Sequence, residues 1–168
     1  MDKELIKAMR NAIKQDDLAA VKQLLKENPD LLEAQTPFGT WLHEAAIQGK
    51  YAIAEYFIKS GIDVNTCAGI FKAGAIKEAA FEGRLNILKL LHENGAILDA
   101  GTFEANPLFS AIYNNHFDVA KYLIDNGIDL KAAYSIGELD NCDALEYARQ
   151  YGRTEIADYI KEKLKETK

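Results

Sequence analysis

The chain has few of the residues that would make it a disulfide-bonded or metal-binding protein. It carries 2 cysteines and 3 histidines in 168 residues. Cys67 and Cys142 form no Cys-x-x-Cys motif and have no histidine nearby, so the sequence predicts two reduced thiols and no metal site. No apolar run reaches the roughly 18 residues of a membrane span, and the N-terminus lacks the apolar core of a signal peptide. We therefore expect a protein of the cytoplasm that does not enter a membrane.

Positive charge is also in short supply. The chain has 20 lysines and arginines against 26 aspartates and glutamates, which gives a formal net charge of −6. Nucleic-acid binders and proteins of anionic membrane surfaces carry a basic face, so this balance argues against both classes. A protein partner with a basic surface remains compatible. Only 3 prolines interrupt the chain, and its 48% hydrophobic residues are enough to bury the core of one domain.

The motifs of common catalytic sites are missing. The sequence contains no glycine-rich phosphate loop, no His-Glu-x-x-His and no Gly-x-Ser-x-Gly. An active site needs a nucleophile, a base or a metal cluster whose members converge, and no such set is visible. We expect a protein that is not an enzyme, with no catalytic residue and no cofactor.

What the chain does have is a recurring pair of short helices. Thr40 is a helix N-cap, and Leu42, Ala45 and Ala46 lie on one face of the helix that follows, up to Gly49. A second amphipathic helix is predicted from 51 to 60. The same arrangement returns along the chain, because predicted stop residues follow one another at intervals of 34, 32 and 37 in the order Gly49, Gly83, Asn115, Gly152. Asn115 fits this series because asparagine tolerates the left-handed conformation well.

These residues resemble ankyrin repeats. The segment from Thr40 to Ala46 is similar to the Thr-Pro-Leu-His-x-Ala signature of that family, with Trp41 in the proline position. The resemblance implies an all-α solenoid of stacked helix-turn-helix units with loop or β-turn fingers. It also implies framework roles for His43, which ties neighbouring turns, and for His116, which follows a stop residue.

We expect one domain over residues 1–168, with capping units at both ends. The predicted units cover approximately 4–32, 36–66, 70–100, 102–130 and 140–166. The connection between 127 and 143 is longer than the others and acidic. Insertions in solenoids fall on one loop edge, which is often the binding edge.

Partners of ankyrin repeats usually dock on the loop tips and on the concave row of first helices, and the resemblance implies a site there. Phenylalanines on three successive loops and aromatics near the ends of the first helices predict an aromatic stripe edged with glutamates. The alternative for each loop phenylalanine is packing against the adjacent unit, and Trp41 is equally open to packing or display. The predicted partner-binding residues are Phe38, Trp41, Glu44, Phe71, Glu78, Phe81, Glu82, Phe103, Tyr113, Glu138, Asp140 and Tyr151.

The function that this resemblance implies is a monomeric, non-catalytic module that binds another protein. Two alternatives stay open. One is an inhibitor or immunity-type ankyrin protein that blocks a toxic enzyme, and the other is a structural scaffold.

Overall fold

The protein is built almost entirely of short helices. A computed structural model describes residues 2–166. In these residues the elements follow one another as α1 (Lys3–Lys14), α2 (Leu18–Glu27), a 3-10 helix (Pro29–Glu33), α3 (Trp41–Gln48), α4 (Tyr51–Lys59), α5 (Ala75–Phe81), α6 (Leu85–Glu93), α7 (Pro107–Tyr113), α8 (Phe117–Asp125), β1 (Tyr134–Ile136), β2 (Leu139–Cys142), α9 (Ala144–Gln150) and α10 (Thr154–Glu166).

The first helices begin at residues that can satisfy their free backbone N–H groups. Thr40 and His43 form a capping box at the start of α3. The carboxylate of Asp143 and the amide oxygen of Asn106 accept hydrogen bonds of 2.8 Å from backbone N–H groups of α9 and α7. Gly74 occupies the same position before α5 and makes no side-chain cap. The start of α5 is therefore the least firmly capped of the four.

The predicted stop residues are confirmed. Gly49, Gly83 and Gly152 all have positive φ, and Asn115 joins them with φ of 60°. At Gly83 a side chain is also excluded by space, because a Cβ there would lie 2.6 Å from the imidazole of His116. The turn between the two helices of a unit is thus fixed by local geometry.

Two rows of helices result from stacking the pairs. The first-helix row consists of α1, α3, α5, α7 and α9, each in contact with the next, and the second-helix row consists of α2, α4, α6, α8 and α10. Alanines such as Ala45, Ala46, Ala79 and Ala80 have no exposed surface and let neighbouring helices approach closely. The expectation of an all-α solenoid of stacked helix-turn-helix units is confirmed.

Side chains join each unit to the next by hydrogen bonds to backbone carbonyls. The Nδ1 atom of His43 accepts from the backbone N–H of Thr40, so its Nε2–H donates across the unit boundary to the carbonyl of Ala73 at 2.9 Å. His116 bonds in the opposite direction along the chain, to the carbonyl of Phe81 in the preceding unit, at 3.1 Å. The framework roles inferred for His43 and His116 are thereby confirmed.

A second kind of tie runs between the closing loops. The amide of Asn65 donates to the carbonyl of Gly95 and accepts from the N–H of Ile97, with both bonds at 2.9 Å. Further along, the guanidinium of Arg153 donates to the carbonyl of Tyr113 at 2.7 Å. These bonds connect residues about one repeat apart in the chain.

The long acidic connection forms a β-hairpin. Strands β1 and β2 pair antiparallel with an irregularity in register, and Gly137 lies in the turn with φ of 59°. The hydroxyl of Tyr134 donates to the carbonyl of Ala100 and accepts from the amide of Asn106, which ties the hairpin to the preceding unit. Within residues 2–166 this hairpin is the one sheet, and the rest of the regular structure there is helical apart from two isolated β-bridges.

Candidate partner-binding groove

A groove of about 430 Å³ crosses the first-helix row from α3 to α9. Its walls come from the first helices and from the fingers that precede them. The apolar lining residues are Ile47, Phe71, Phe81, Phe103, Phe109, Tyr113, Ile136, Tyr147 and Tyr151. The polar lining residues are Lys77, Glu78, Glu82, Glu104 and Ser110.

Three of the aromatic side chains that line this groove form a ladder. We call Phe81, Tyr113 and Tyr151 the aromatic ladder. Phe81 and Tyr113 are the last residues of α5 and α7, and Tyr151 follows the last residue of α9, so the repeat places them side by side. The ring centroids of Phe81 and Tyr113 lie 6.2 Å apart in a stacked pair, and those of Tyr113 and Tyr151 lie 5.3 Å apart. Tyr113 is 45% exposed and Tyr151 is 40% exposed, so the ladder presents ring surface to solvent.

A second group of rings lies beneath the ladder. We call Phe103, Phe109, Tyr134 and Tyr147 the aromatic base. The ring of Phe109 lies 4.9 Å from that of Tyr147, 5.1 Å from that of Tyr134 and 5.6 Å from that of Phe103. Burial raises the pKa of Tyr147 well above its ordinary value, with a further contribution from the nearby Tyr151. The base is therefore an uncharged and closely packed floor.

Lys77 occupies the other end of the groove and was not among the predicted site residues. Although it is a lysine, only 7% of it is exposed. Its ammonium nitrogen lies 4.5 Å from the ring centroid of Phe71, 5.1 Å from that of Phe81 and 3.3 Å from a carboxylate oxygen of Glu78. The only sequence signal for this role is its helix position, since Lys77 stands where the preceding unit has His43.

The acidic rim of the groove is only partly neutralised. Glu78 pairs with Lys77, whereas Glu82 and Glu104 make no ion pair within residues 2–166. The lining residues therefore carry two carboxylates without a compensating cation. These charges lie at the edge of a largely aromatic surface.

The structure corrects two of the predicted contact residues. Trp41 is completely buried, and its indole N–H donates to the carbonyl of Leu31 at 2.6 Å. Glu44 is 6% exposed and pairs with Arg10, with 3.3 Å between the guanidinium Nε and a carboxylate oxygen. Both side chains stabilise the join between the first two units, so neither presents a surface to a partner.

Other predicted residues are exposed but lie apart from the groove lining. Phe38 is 54% exposed, and the guanidinium of Arg10 lies 4.8 Å from its ring centroid. Glu138 and Asp140 are exposed on the hairpin. The other two loop phenylalanines do line the groove: Phe71 is 56% exposed, whereas Phe103 packs into the aromatic base. The aromatic stripe thus continues from the ladder to the finger tips, and Phe103 is its half-buried member.

The remaining titratable candidates do not converge. His92 lies on the second-helix row, with its Nδ1 3.0 Å from the hydroxyl of Tyr122. Cys67 is an exposed thiol and Cys142 a buried one, and both are free. Across residues 2–166 no three His, Cys, Asp or Glu side chains are grouped so that they could hold a metal ion. In the same range no helix has both the length and the apolar character needed to cross a membrane.

Comparison with known proteins agrees with the repeat architecture. A model described as ankyrin repeats (3 copies) matches residues 76–167, and one described as ankyrin repeats (many copies) matches residues 42–92. Target of rapamycin complex 2 subunit AVO2 from Saccharomyces cerevisiae is 36% identical over 94 residues, which are 54% of this chain and 22% of that protein. An ankyrin repeat protein of Rickettsia felis is 42% identical over 60 residues, which are 36% of this chain and 26% of that protein. The chain thus spans about a quarter of the length of these relatives. The family models together with the stacked helix pairs show that the chain belongs to the ankyrin-repeat family.

Proposed function

We propose that this chain binds another protein through the groove and the adjoining finger tips, and has no catalysis of its own. Ankyrin repeats are generally protein-interaction modules. The observation that carries the proposal is the aromatic ladder, in which Tyr113 and Tyr151 expose ring surface above a packed aromatic floor. Exposed, well-supported aromatics are the residues that most often dominate the free energy of protein association.

The rigidity of the groove also supports this function. The ladder residues lie at the ends of helices that are joined by hydrogen bonds, such as the one from Arg153 to the carbonyl of Tyr113. A surface that is already ordered loses little conformational entropy when a partner binds, so more of the contact energy becomes affinity. The yeast relative is itself named as a subunit of a complex, which fits an interaction role.

Two further features belong to the proposal. We propose that the chain acts as a monomer, because its core is closed by its own stacked units. We also propose that it acts in the cytoplasm, where thiols such as Cys67 and Cys142 stay reduced.

The test compares the ladder with an equally exposed tyrosine elsewhere. The double variant Tyr113→Ala, Tyr151→Ala removes two rungs, and Tyr51→Ala removes a ring that is 42% exposed on α4, outside the groove lining. The unaltered chain and both variants are checked for folding by circular dichroism, immobilised on beads and incubated with lysate of the source cell. The lysate proteins that each one retains are quantified by mass spectrometry. We expect one partner to be retained by the unaltered chain and by Tyr51→Ala and lost by the double variant, since truncating hot-spot aromatics costs about 2 kcal/mol or more each. Equal retention by all three would show that the partner binds elsewhere.

The unpaired Glu82 and Glu104 favour a more specific candidate, an inhibitor of an enzyme with a basic surface. The activity of the captured partner, measured with and without this chain, decides between an inhibitor and an adaptor. A structural scaffold would instead associate with itself, and sedimentation of the purified chain would then show a mass that rises with concentration.

A further inference from the structure

The groove already holds one cation, which shows the chemistry that it can accommodate. Lys77 is almost completely buried, and lysine is seldom buried unless its charge is paired. Here the ammonium group lies over the rings of Phe71 and Phe81 and beside the carboxylate of Glu78. Two aromatic faces and one carboxylate thus replace the water that the charge loses.

The rest of the groove repeats part of this arrangement without a cation of its own. Phe103 and Tyr113 stand 32 positions after Phe71 and Phe81, and they too line the groove. The position that corresponds to Lys77 is taken by Phe109, whose ring belongs to the aromatic base. This half of the groove offers ring surface where the other half places a positive charge.

Two carboxylates line the groove, one at the end of α5 and one just before α7. Glu82 and Glu104 line the groove, Glu104 is exposed and Glu82 half-buried, and neither has an ion pair in the part of the chain that the structure describes. Covering them with an apolar occupant would remove water from two charges and give nothing in exchange, which is costly. An acidic occupant would add repulsion. A basic side chain would satisfy both the carboxylates and the ring surface.

We propose that the groove selects a short, extended segment of the partner protein that carries an arginine or lysine next to a bulky apolar side chain. The basic group pairs with Glu82 or Glu104 beside the aromatic ladder, and the apolar neighbour packs on the aromatic base. This inference rests on the proposed function, since it names the chemistry of the partner at the same groove. It also gives Lys77 a role, because the buried ammonium fills one end of the groove and directs the incoming cation to the other.

The experiment selects peptides without assuming a partner. A phage-displayed library of random ten-residue peptides is panned on the unaltered chain. The selected peptides are then tested on the double variant Tyr113→Ala, Tyr151→Ala, and those that no longer bind are classed as groove-dependent. We expect this set to be enriched in arginine or lysine beside a large apolar residue. Affinities of one selected, fluorescently labelled peptide are then measured by anisotropy.

Charge variants test the named carboxylates. Replacing Glu82 and Glu104 together by glutamine is expected to lower the affinity for the peptide at least about tenfold. Replacing the basic residue of the peptide by glutamine is expected to lower the affinity by the same factor. The two changes combined should cost little more than either alone, because they remove one interaction. The matched control is Glu93→Gln, Glu162→Gln, which makes the same change in net charge at exposed positions outside the groove lining and should leave the affinity within about twofold.

Failure of this inference can be told apart from failure of the proposed function. Groove-dependent peptides without basic residues, or affinities unchanged in the Glu82, Glu104 variant, would overturn the inference and leave a protein-binding groove. A library from which nothing depends on Tyr113 and Tyr151 would overturn the inference as well, whereas the proposed function is decided separately by the lysate capture with the same double variant. Because the peptide substitution alters only the ligand, the inference remains open to contradiction even if the double glutamine variant does not fold.

Discussion

Equivalent positions in α3 and α7, which lie nearer the N-terminal and the C-terminal end of the first-helix row, serve different purposes. In α3 the third and fourth residues are His43 and Glu44, which bond to neighbouring units and are buried. In α7 the same positions are Phe109 and Ser110, which are buried as well but form part of the groove lining. The polar residues of α3 join neighbouring units, whereas Phe109 of α7 belongs to the aromatic base that supports the exposed aromatic ladder toward the C-terminal end. A residue that matches the repeat signature is thus more often structural, and the candidate site lies where the repeat departs from it.

The largest expected effect on stability is at Trp41 in α3, near the N-terminal end of the first-helix row. Trp41→Ala should lower the free energy of unfolding by about 3–5 kcal/mol, because it leaves a cavity in the core and an unpaired carbonyl at Leu31. Urea denaturation followed by circular dichroism measures the loss. The control is Tyr151→Ala in the ladder, which should cost far less. If the two substitutions cost the same, the division into a structural end and a binding end is wrong.

An intermediate effect should come from His43 and depend on pH. Burial lowers the pKa of His43 below its ordinary value of 6.5, so the unfolded chain takes up a proton at a higher pH than the native chain does. Its contribution to stability is therefore present above pH 6.5 and falls as the pH drops below that value toward the lowered native pKa. Urea midpoints at pH 7.5 and pH 5.0 should show this loss.

The variant His43→Asn isolates the effect. It should be less stable than the unaltered chain at pH 7.5, because the bond to the carbonyl of Ala73 is lost, but its stability should decline less between the two pH values. Parallel declines in both proteins would show that groups other than His43 set the pH dependence.

The smallest effect on stability should come from Phe71, which lies at the boundary between the two ends. Phe71→Ala should cost no more than about 1 kcal/mol, because the ring is 56% exposed and its main contact is the ammonium of Lys77. Ile76→Ala in the same unit is the matched control and should cost about 2–5 kcal/mol, since Ile76 is buried in the core. A loss for Phe71→Ala as large as that for Ile76→Ala would place Phe71 in the core and remove it from the candidate surface.

The sequence predicts the framework well because the framework depends on local geometry. The cap at Thr40, the stop at Asn115 and the second helix predicted from 51 to 60 each follow from a few adjacent residues, and the structure confirms all three, with the helix ending at Lys59. The hairpin was not predicted, although Gly137 marks its turn. Its strands are short, and they are held by Tyr134 against a unit that lies about 30 residues earlier.

The candidate site was harder to predict because exposure depends on residues that are distant in the chain. The ladder residues were all predicted, since they recur near the ends of the first helices. Glu44 was misjudged because its partner Arg10 lies 34 residues away, and Lys77 was missed because its burial depends on the finger that carries Phe71. Spacing tells which residues share a row, but only the stacked units show which of those residues are covered.

The ties between neighbouring units have a consequence for how fast this chain reaches its structure. Asn65 bonds to Gly95 and Ile97, and Arg153 bonds to Tyr113, so the long-range bonds described here join residues about 30 to 40 positions apart. Each of these bonds joins one unit to its neighbour, so the entropy needed to close loops does not grow with each added unit. Low contact order of this kind favours rapid folding that can begin in any adjacent pair of units and spread in both directions.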